Sequence, residues 1–286
     1  MFWHDLRMRT FLDRMRDLKN QEILQRSADE PLEALREKAL DGQCPSNFAE
    51  TVKDKGNGLL EIIAEVKARA PGRVNVESLD PITVVREYAQ GGAAAVSVLT
   101  DQSWFGGNLD TLSEVSENTE LPLLHKEFIV SEYQLLEGRL RGASASLLLA
   151  YYFDQNELKE MMEHCRRWQL EPIVECSLEE ELPRALEANP KILMINNRPI
   201  AAIPEEPSKT YQQGSVEVTL DWWDKYEEIR EWKEQPGRIL ISASCIDEPY
   251  HVQRLMEIPC DACLVGNSAM TAEDRVSHLK SLRKGS

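Results

Sequence analysis

Up to residue 60 the apolar positions recur at helical spacing. Phe2, Leu6, Met8, Phe11, Leu12, Met15 and Leu18 form a broad apolar stripe, which predicts a helix over 2–18. Pro31 precedes LEALREKAL, and proline near a first turn predicts a second helix. Phe48–Val52 predicts a short third one. From Glu61 the period changes. Eight short apolar or β-branched runs follow: EIIAEVK (61–67), AAVSVLT (94–100), LPLLHKE (121–127), ASLLLAYY (145–152), PIVEC (172–176), KILMINN (191–197), RILISAS (238–244) and ACLVG (262–266). Helix-like stretches lie between and after them at 81–91, 109–118, 131–141, 155–168, 178–188, 217–232, 248–257 and 271–283. Continuous apolar strands alternating with helices predict a parallel sheet covered on both faces.

Eight such units predict an α/β protein of the closed (β/α)8 class, the TIM barrel, carrying an N-terminal helical extension. The expected division is 1–60 for the extension, packed on the barrel, and 61–286 for the barrel. An open doubly wound sheet would begin with a Gly-rich phosphate loop, and KARAPGR after the first strand does not match one. The connection 199–216 (PIAAIPEEPSKTYQQGSV) is long and follows strand 6. It reads equally as a lid over the catalytic face and as a tolerated insertion.

Barrel chemistry sits at the C-terminal ends of the strands, and charged residues interrupt the apolar runs there. Strand 1 ends in Glu65 and Lys67, strand 3 in Lys126, strand 5 in Glu175 and strand 6 in Asn196, Asn197 and Arg198. Alternation along a strand puts Glu65 and Lys67 on one face, plausibly the barrel interior, and His125 on the face opposite Lys126. Buried charges are costly unless paired, so a cluster on one rim points to a site. The five histidines are dispersed, and no Ser-His-Asp set or metal-ligand spacing occurs. Acid–base work by Lys and Glu remains, with Arg and Lys for anionic groups. Strands 7 and 8 end in SASC and GNS, small residues where this fold builds phosphate sites. A phosphorylated small molecule is the expected substrate class, with no metal.

Composition narrows the rest. Among 286 residues, 33 are basic and 49 acidic, a formal charge of −16. So acidic a chain is a poor match for nucleic acid or an anionic membrane surface. No apolar run is long enough to cross a bilayer, and the N-terminus has no apolar signal core. Six scattered cysteines (44, 165, 176, 245, 260 and 263) read as reduced thiols in a cytoplasmic protein. Cys260 and Cys263 form a CxxC without a second ligand pair, and the apolar run around them favours a structural role.

With these residues in hand, the chain resembles the indole-3-glycerol phosphate synthase family over nearly its whole length. IIAEVKARAPG resembles IIAEVKxxSPS, and GGAAAVSVLTDQSWFGGNL resembles GGAxAxSVLTdxxxFxGsl. LLHKEFIVSEYQ resembles lRKDFIxdxyQ, IVECSLEEEL resembles lVEvhxxeEl, and INNR is retained. The resemblance implies ring closure of 1-(o-carboxyphenylamino)-1-deoxyribulose 5-phosphate with loss of carbon dioxide and water, without cofactor, in tryptophan biosynthesis. It implies Lys126 as general acid, Lys67 as holder of the substrate carboxylate with a later proton-transfer role, and Glu175 as base of the dehydration. Glu65 would organise the lysines, Asn196 would contact a substrate hydroxyl or carbonyl, and Arg198 would meet the anthranilate carboxylate. Phosphate would sit on Ser244, Gly266 and Asn267, with Arg69 in place of a family lysine. Phe105 and Trp104 are candidates for an apolar wall, with core packing the competing role. Association with other tryptophan-pathway enzymes is compatible with this reading. Positive potential in the mouth is expected from Lys67, Arg69, Lys126 and Arg198.

Four departures stand out. SPS is here Ala70-Pro71-Gly72, and SESG is Ser242-Ala243-Ser244-Cys245, which removes a glutamate and a glycine. Pro199 replaces an Asp, and His125 and Glu127 flank the catalytic lysine in place of Arg and Asp. They leave two alternatives beside the synthase: a repurposed paralogue acting on a related N-aryl amino-ketose phosphate, and a non-catalytic ligand-binding barrel.

Overall fold

The computed structural model describes residues 10–40, 46–69, 80–202 and 214–285. Eight strands close into a parallel barrel in sequence order: β1 (Glu61–Val66), β2 (Ala95–Leu99), β3 (Leu123–Lys126), β4 (Ala145–Leu149), β5 (Glu171–Cys176), β6 (Ile192–Asn196), β7 (Ile239–Ala243) and β8 (Ala262–Val265). Three helices precede it: α1 (Phe11–Asp29), α2 (Leu32–Leu40) and α3 (Phe48–Val52). The covering helices are α4 (Pro81–Gly91), α5 (Leu109–Ser116), α6 (Glu132–Leu140), α7 (Gln155–Arg167), α8 (Leu182–Ala188), α9 (Glu217–Lys225), α10 (Glu227–Glu234), α11 (Pro249–Leu255), α12 (Asn267–Thr271) and α13 (Arg275–Lys284). The strands are buried on both faces, which is why their sequences run apolar without alternation. The helices begin where side chains accept from their first amides, as at Asp80, Asn108, Ser131 and Asp154.

Three elements differ from the sequence expectation, each for a local reason. The first helix starts at Phe11, because Thr10 is extended and shares a capping box with Asp13. It then continues to Asp29, well past the apolar stripe; Phe2, Leu6 and Met8 lie outside the described residues. The stretch 217–232 is two helices, broken where Tyr226 turns extended (φ −106°, ψ 105°). The last segment splits into α12 and α13, the second capped by Asp274.

α1 lies against the segments that leave the C-terminal ends of the strands. Phe11 packs edge-on to Trp104 and Phe128, at ring separations of 4.7 and 5.8 Å. Arg16 donates to the Tyr152 carbonyl, and the helix also meets the turn Ile200–Ala202. α3 buries Phe48, Ala49 and Val52 against β1 and β2. On the outer face of β3, α6 comes so close that a Cβ on Gly138 would lie 2.3 Å from His125 Nδ1. His125 is thus a helix-packing residue, as its strand parity predicts; burial pulls its pKa down to about 3, with Arg141, Lys19 and Arg26 adding repulsion, so it stays neutral.

The thiols Cys165, Cys176, Cys260 and Cys263 are buried and free, and burial pushes the Cys260 pKa up to about 12. That protonated state is the structural role expected of the CxxC; Cys44 lies outside the described residues. No described helix is long and apolar enough to cross a membrane.

One buried acid sets a pH dependence. Between β5 and α8, Glu181 Oε2 accepts from the amides of Ser177 (2.7 Å) and Leu178 (3.2 Å). Burial outweighs those bonds and Arg184, and pushes its pKa from 4.5 up to about 7. A raised carboxyl binds its proton more tightly in the folded state. Its contribution is fully present below 4.5 and is lost as pH rises through about 7. Glu181→Gln keeps an acceptor for the two amides and cannot ionise. Its stabilisation in urea unfolding is expected to be larger at pH 8.5 than at pH 5 by about 2 kcal/mol.

Candidate active site

Two ion pairs lie inside the mouth, at the C-terminal ends of the strands. Glu65 and Lys67 share the inner face of β1 and its extension, and Lys67 Nζ donates to Glu65 Oε1 at 2.8 Å. On the other side Lys126 Nζ donates to Glu175 Oε2 at 2.8 Å. Asn196 Nδ2 donates to the second oxygen, Glu175 Oε1, at 3.1 Å. Glu175 is 1% exposed, so both its oxygens are held by donors instead of water. Such a carboxylate can accept a proton only by trading one of these bonds, which couples its basicity to the position of Lys126.

The rest of the cavity is built from small and apolar groups. Leu147, Leu149 and Leu264 form its floor, and Phe105, Phe128 and Ile200 line it too. Ser244, Gly266 and Asn267 close the β7–β8 side. Gly266 is required there: a Cβ would lie 2.5 Å from Glu65 Oε1 and 2.7 Å from Lys67 Nζ. Arg198 also lines the cavity, its Nε is buried without a hydrogen bond, and no described carboxylate pairs with it.

Of the expected residues, Lys126, Glu175, Lys67, Glu65, Asn196, Arg198, Ser244, Gly266, Asn267 and Phe105 converge on this one cavity. Arg69 does not. Its Nε donates to the carbonyl of Trp104 at 3.0 Å, and Nη2 donates to those of Gln102 (3.1 Å) and Ser103 (2.9 Å). The loop after β2 offers three carbonyls that a five-donor fork satisfies, so the guanidinium turns away from the phosphate side. Nor does Trp104 line the cavity, since it packs on Phe11. The expected positive potential also shrinks: Lys67 and Lys126 are each matched by a carboxylate, and the unmatched cation in the cavity wall is Arg198. Ala70, Pro71, Gly72 and residues 203–213 of the long connection lie outside the described residues.

Asn197, adjacent to Asn196, is a scaffold group. Its Nδ2 donates to Ser242 Oγ (3.0 Å) and the Ser244 carbonyl (2.9 Å), and its Oδ1 accepts from Thr219. That network holds the end of β7, where Ser244 (φ 70°) and Cys245 (φ 60°) are both left-handed. Ala243 lines the cavity beside them, apolar where the family pattern has an acid.

Sequence reasoning passed over Lys19 and Asp101, and noted Glu127 only as a departure from the family pattern. Lys19 is 2% exposed and its Nζ lies 2.8 Å from Asp101 Oδ1 and 3.2 Å from Glu127 Oε1. Burial pulls its pKa down, but Glu127 and Asp101 outweigh burial and hold the ammonium charged. Burial also raises the Glu127 carboxyl, which Lys19 opposes. The signal was the spacing Leu12, Met15, Lys19, which sets a lysine on the apolar face of its helix. Among the described residues no group of three His, Cys, Asp or Glu could hold a metal ion.

Comparison with known proteins agrees with this geometry. The family model described as indole-3-glycerol phosphate synthase matches residues 12–282. The protein of that name from Sulfurimonas denitrificans is 31% identical over 277 residues, 96% of this chain and 99% of the relative. The one from Aquifex aeolicus is 34% identical over 222 residues, 78% of this chain and 80% of the relative. The one from Roseiflexus sp. is 31% identical over 286 residues, 98% and 100% of the two chains.

A left-handed residue with a Cβ costs roughly 1–2 kcal/mol, part of which glycine returns through its freer unfolded chain. Cys245→Gly is therefore expected to gain about 0.5–1 kcal/mol in urea unfolding. Cys245→Ala, which keeps the Cβ, should show no such gain.

Proposed function

The chain belongs to the indole-3-glycerol phosphate synthase family, and from that membership we propose that it makes indole-3-glycerol phosphate from 1-(o-carboxyphenylamino)-1-deoxyribulose 5-phosphate in tryptophan biosynthesis. The observation that carries the reading is the pair of ammonium–carboxylate couples, Lys126–Glu175 and Lys67–Glu65, facing one cavity that also holds a guanidinium, Arg198, that no described carboxylate pairs.

The reaction is a carboxy-lyase ring closure. The ring carbon bearing the carboxylate attacks the ketose carbonyl, and negative charge grows on that oxygen. Lys126, hydrogen-bonded to Glu175, is the group we assign to protonate it. Carbon dioxide then leaves, and its bonding pair restores the aromatic ring. Arg198 suits the planar carboxylate before it departs, because a guanidinium offers two parallel donors. Lys67 would hold the same carboxylate and then supply the proton with which the new hydroxyl leaves as water. Glu175 would take the proton from the carbon next to nitrogen, completing the indole. Glu65 keeps Lys67 in place, and Asn196 keeps Glu175 in place, leaving its own Oδ1 bound to the Arg198 amide. No atom changes oxidation state by external electrons, so the chemistry balances without a cofactor. Phosphate would rest on Ser244, Gly266 and Asn267, and Phe105 would cover the aromatic ring.

Reduced, buried thiols favour a cytoplasmic setting for this reading. The repurposed-paralogue and binding-only alternatives have no observation in their favour.

Incubating the protein with carboxyphenylamino-deoxyribulose phosphate should produce indole fluorescence and a product of the mass of indole-glycerol phosphate. Lys126→Ala should reduce kcat by about 10²–10⁴-fold. Gly266→Ala, which drives a methyl into the Lys67–Glu65 pair, should lower kcat/KM by at least about tenfold with little change in melting temperature. A folded protein with no turnover, or full turnover by Lys126→Ala, would refute the assignment.

A further inference from the structure

The mouth depends on a residue outside the barrel. Lys19 of α1 is buried among three carboxylates: Glu22, one turn on in its own helix at 3.1 Å, and two that belong to different rim segments, Asp101 after β2 and Glu127 after β3. Asp101 spends its other oxygen on the loop: Oδ2 accepts from the amides of Trp104 (2.7 Å) and Phe105 (3.1 Å). Its carbonyl accepts from Gly107 N at 2.8 Å, which closes the loop on itself. That loop presents Phe105 to the cavity, and its carbonyls hold the Arg69 side chain. The Arg69 amide also donates to the Phe105 carbonyl at 3.0 Å, two residues beyond Lys67. Glu127, for its part, accepts from Thr100 Oγ1 at 2.8 Å and from the Phe128 amide at 2.7 Å, directly after Lys126. Without the ammonium, two buried carboxylates would face each other with no cation, and the loop turn would be the part free to yield.

We propose that Lys19 is a positioning residue of the active site: by pairing with Asp101 and Glu127 it fixes the loop that sets Phe105 over the substrate ring and the rim that carries Lys126. This rests on the reading of the cavity as the ring-closing site. Lys19 touches no substrate itself and acts through Phe105, so its loss weakens binding of the N-aryl group more than it slows chemistry.

The test has two independent readouts. The first is amide hydrogen exchange of the peptide spanning 101–107, which needs no substrate. In Lys19→Met it should speed up by at least about tenfold, while the exchange of β5 stays unchanged. Asp101→Asn gives the same answer if Lys19→Met fails to fold: its amide oxygen can still cap Trp104 and Phe105, while its NH2 breaks the link to Lys19. The second is a kinetic cycle with Phe105→Ala. Lys19→Met alone should raise KM about tenfold with a smaller change in kcat, and less than about twofold in the Phe105→Ala background. Lys19→Arg should restore most of the KM. Unchanged exchange in Lys19→Met or Asp101→Asn overturns the proposal, as do multiplicative effects of Lys19→Met and Phe105→Ala on KM. Absence of turnover in the unaltered protein would instead sink the ring-closing assignment, while exchange would still report whether Lys19 holds the loop.

Discussion

A carboxylate removed from water must be met by a cation or give up its charge, and the mouth of this barrel is organised around that requirement. Glu175 is met by Lys126, Glu65 by Lys67, and Asp101 with Glu127 by Lys19. Each ammonium joins segments that the fold brings together from separate parts of the chain, or holds one strand end rigid. The pairs do two things at once. They hold each lysine against a carboxylate, so that at the two couples facing the cavity a proton donor and an acceptor sit side by side. They also offset the positive charge of the two cavity lysines, while Arg198 is a cation of the wall that no described carboxylate pairs.

The barrel was legible because parallel strands buried on both faces must be apolar throughout, and eight such runs separated by helices, without a Gly-rich phosphate loop after the first, favour closure over an open doubly wound sheet. The paired site was legible for a related reason: Glu65, Lys67, Lys126 and Glu175 break those runs at their C-terminal ends, and strand parity points them inward. Direction beyond the backbone was not. Arg69 has the right place in sequence, yet three carbonyls of a neighbouring loop decide where its side chain goes. Helix ends were set by single caps, Thr10 and Asp274, that weigh little against a long apolar stripe. Lys19 escaped notice because Asp101 and Glu127 lie some eighty and more residues away, and a lysine on a helix, even one paired with a neighbour such as Glu22, is ordinarily solvated.

Two of the departures from the family pattern fall at the end of β7. Ala243 removes a carboxylate from the cavity wall, and Cys245 forces a Cβ into left-handed backbone. The Asn197 network holds this conformation, since its side chain ties the Ser244 carbonyl to Ser242 and Thr219. The scaffold behind the rim therefore carries a strain that the family's glycine avoids. The three groups that perform proton chemistry in the proposed reaction, Lys67, Lys126 and Glu175, sit on or just after other strands.

α1 is made before the segments it docks on. Its partners are Trp104, Phe128, Tyr152 and the turn at Ile200–Ala202, residues that leave the ribosome long after the helix itself. Contacts so distant along the chain form only after the intervening strands have closed, because the entropy of the large loop must be met before the contacts reward it. Until then the apolar face of Phe11, Leu12 and Met15, with Lys19 beside it, has nothing to cover it. The nascent helix thus waits uncovered until the segments it docks on have followed it, and the enzyme's mouth is completed only when α1 folds back over the rim between Asp101 and Ala202.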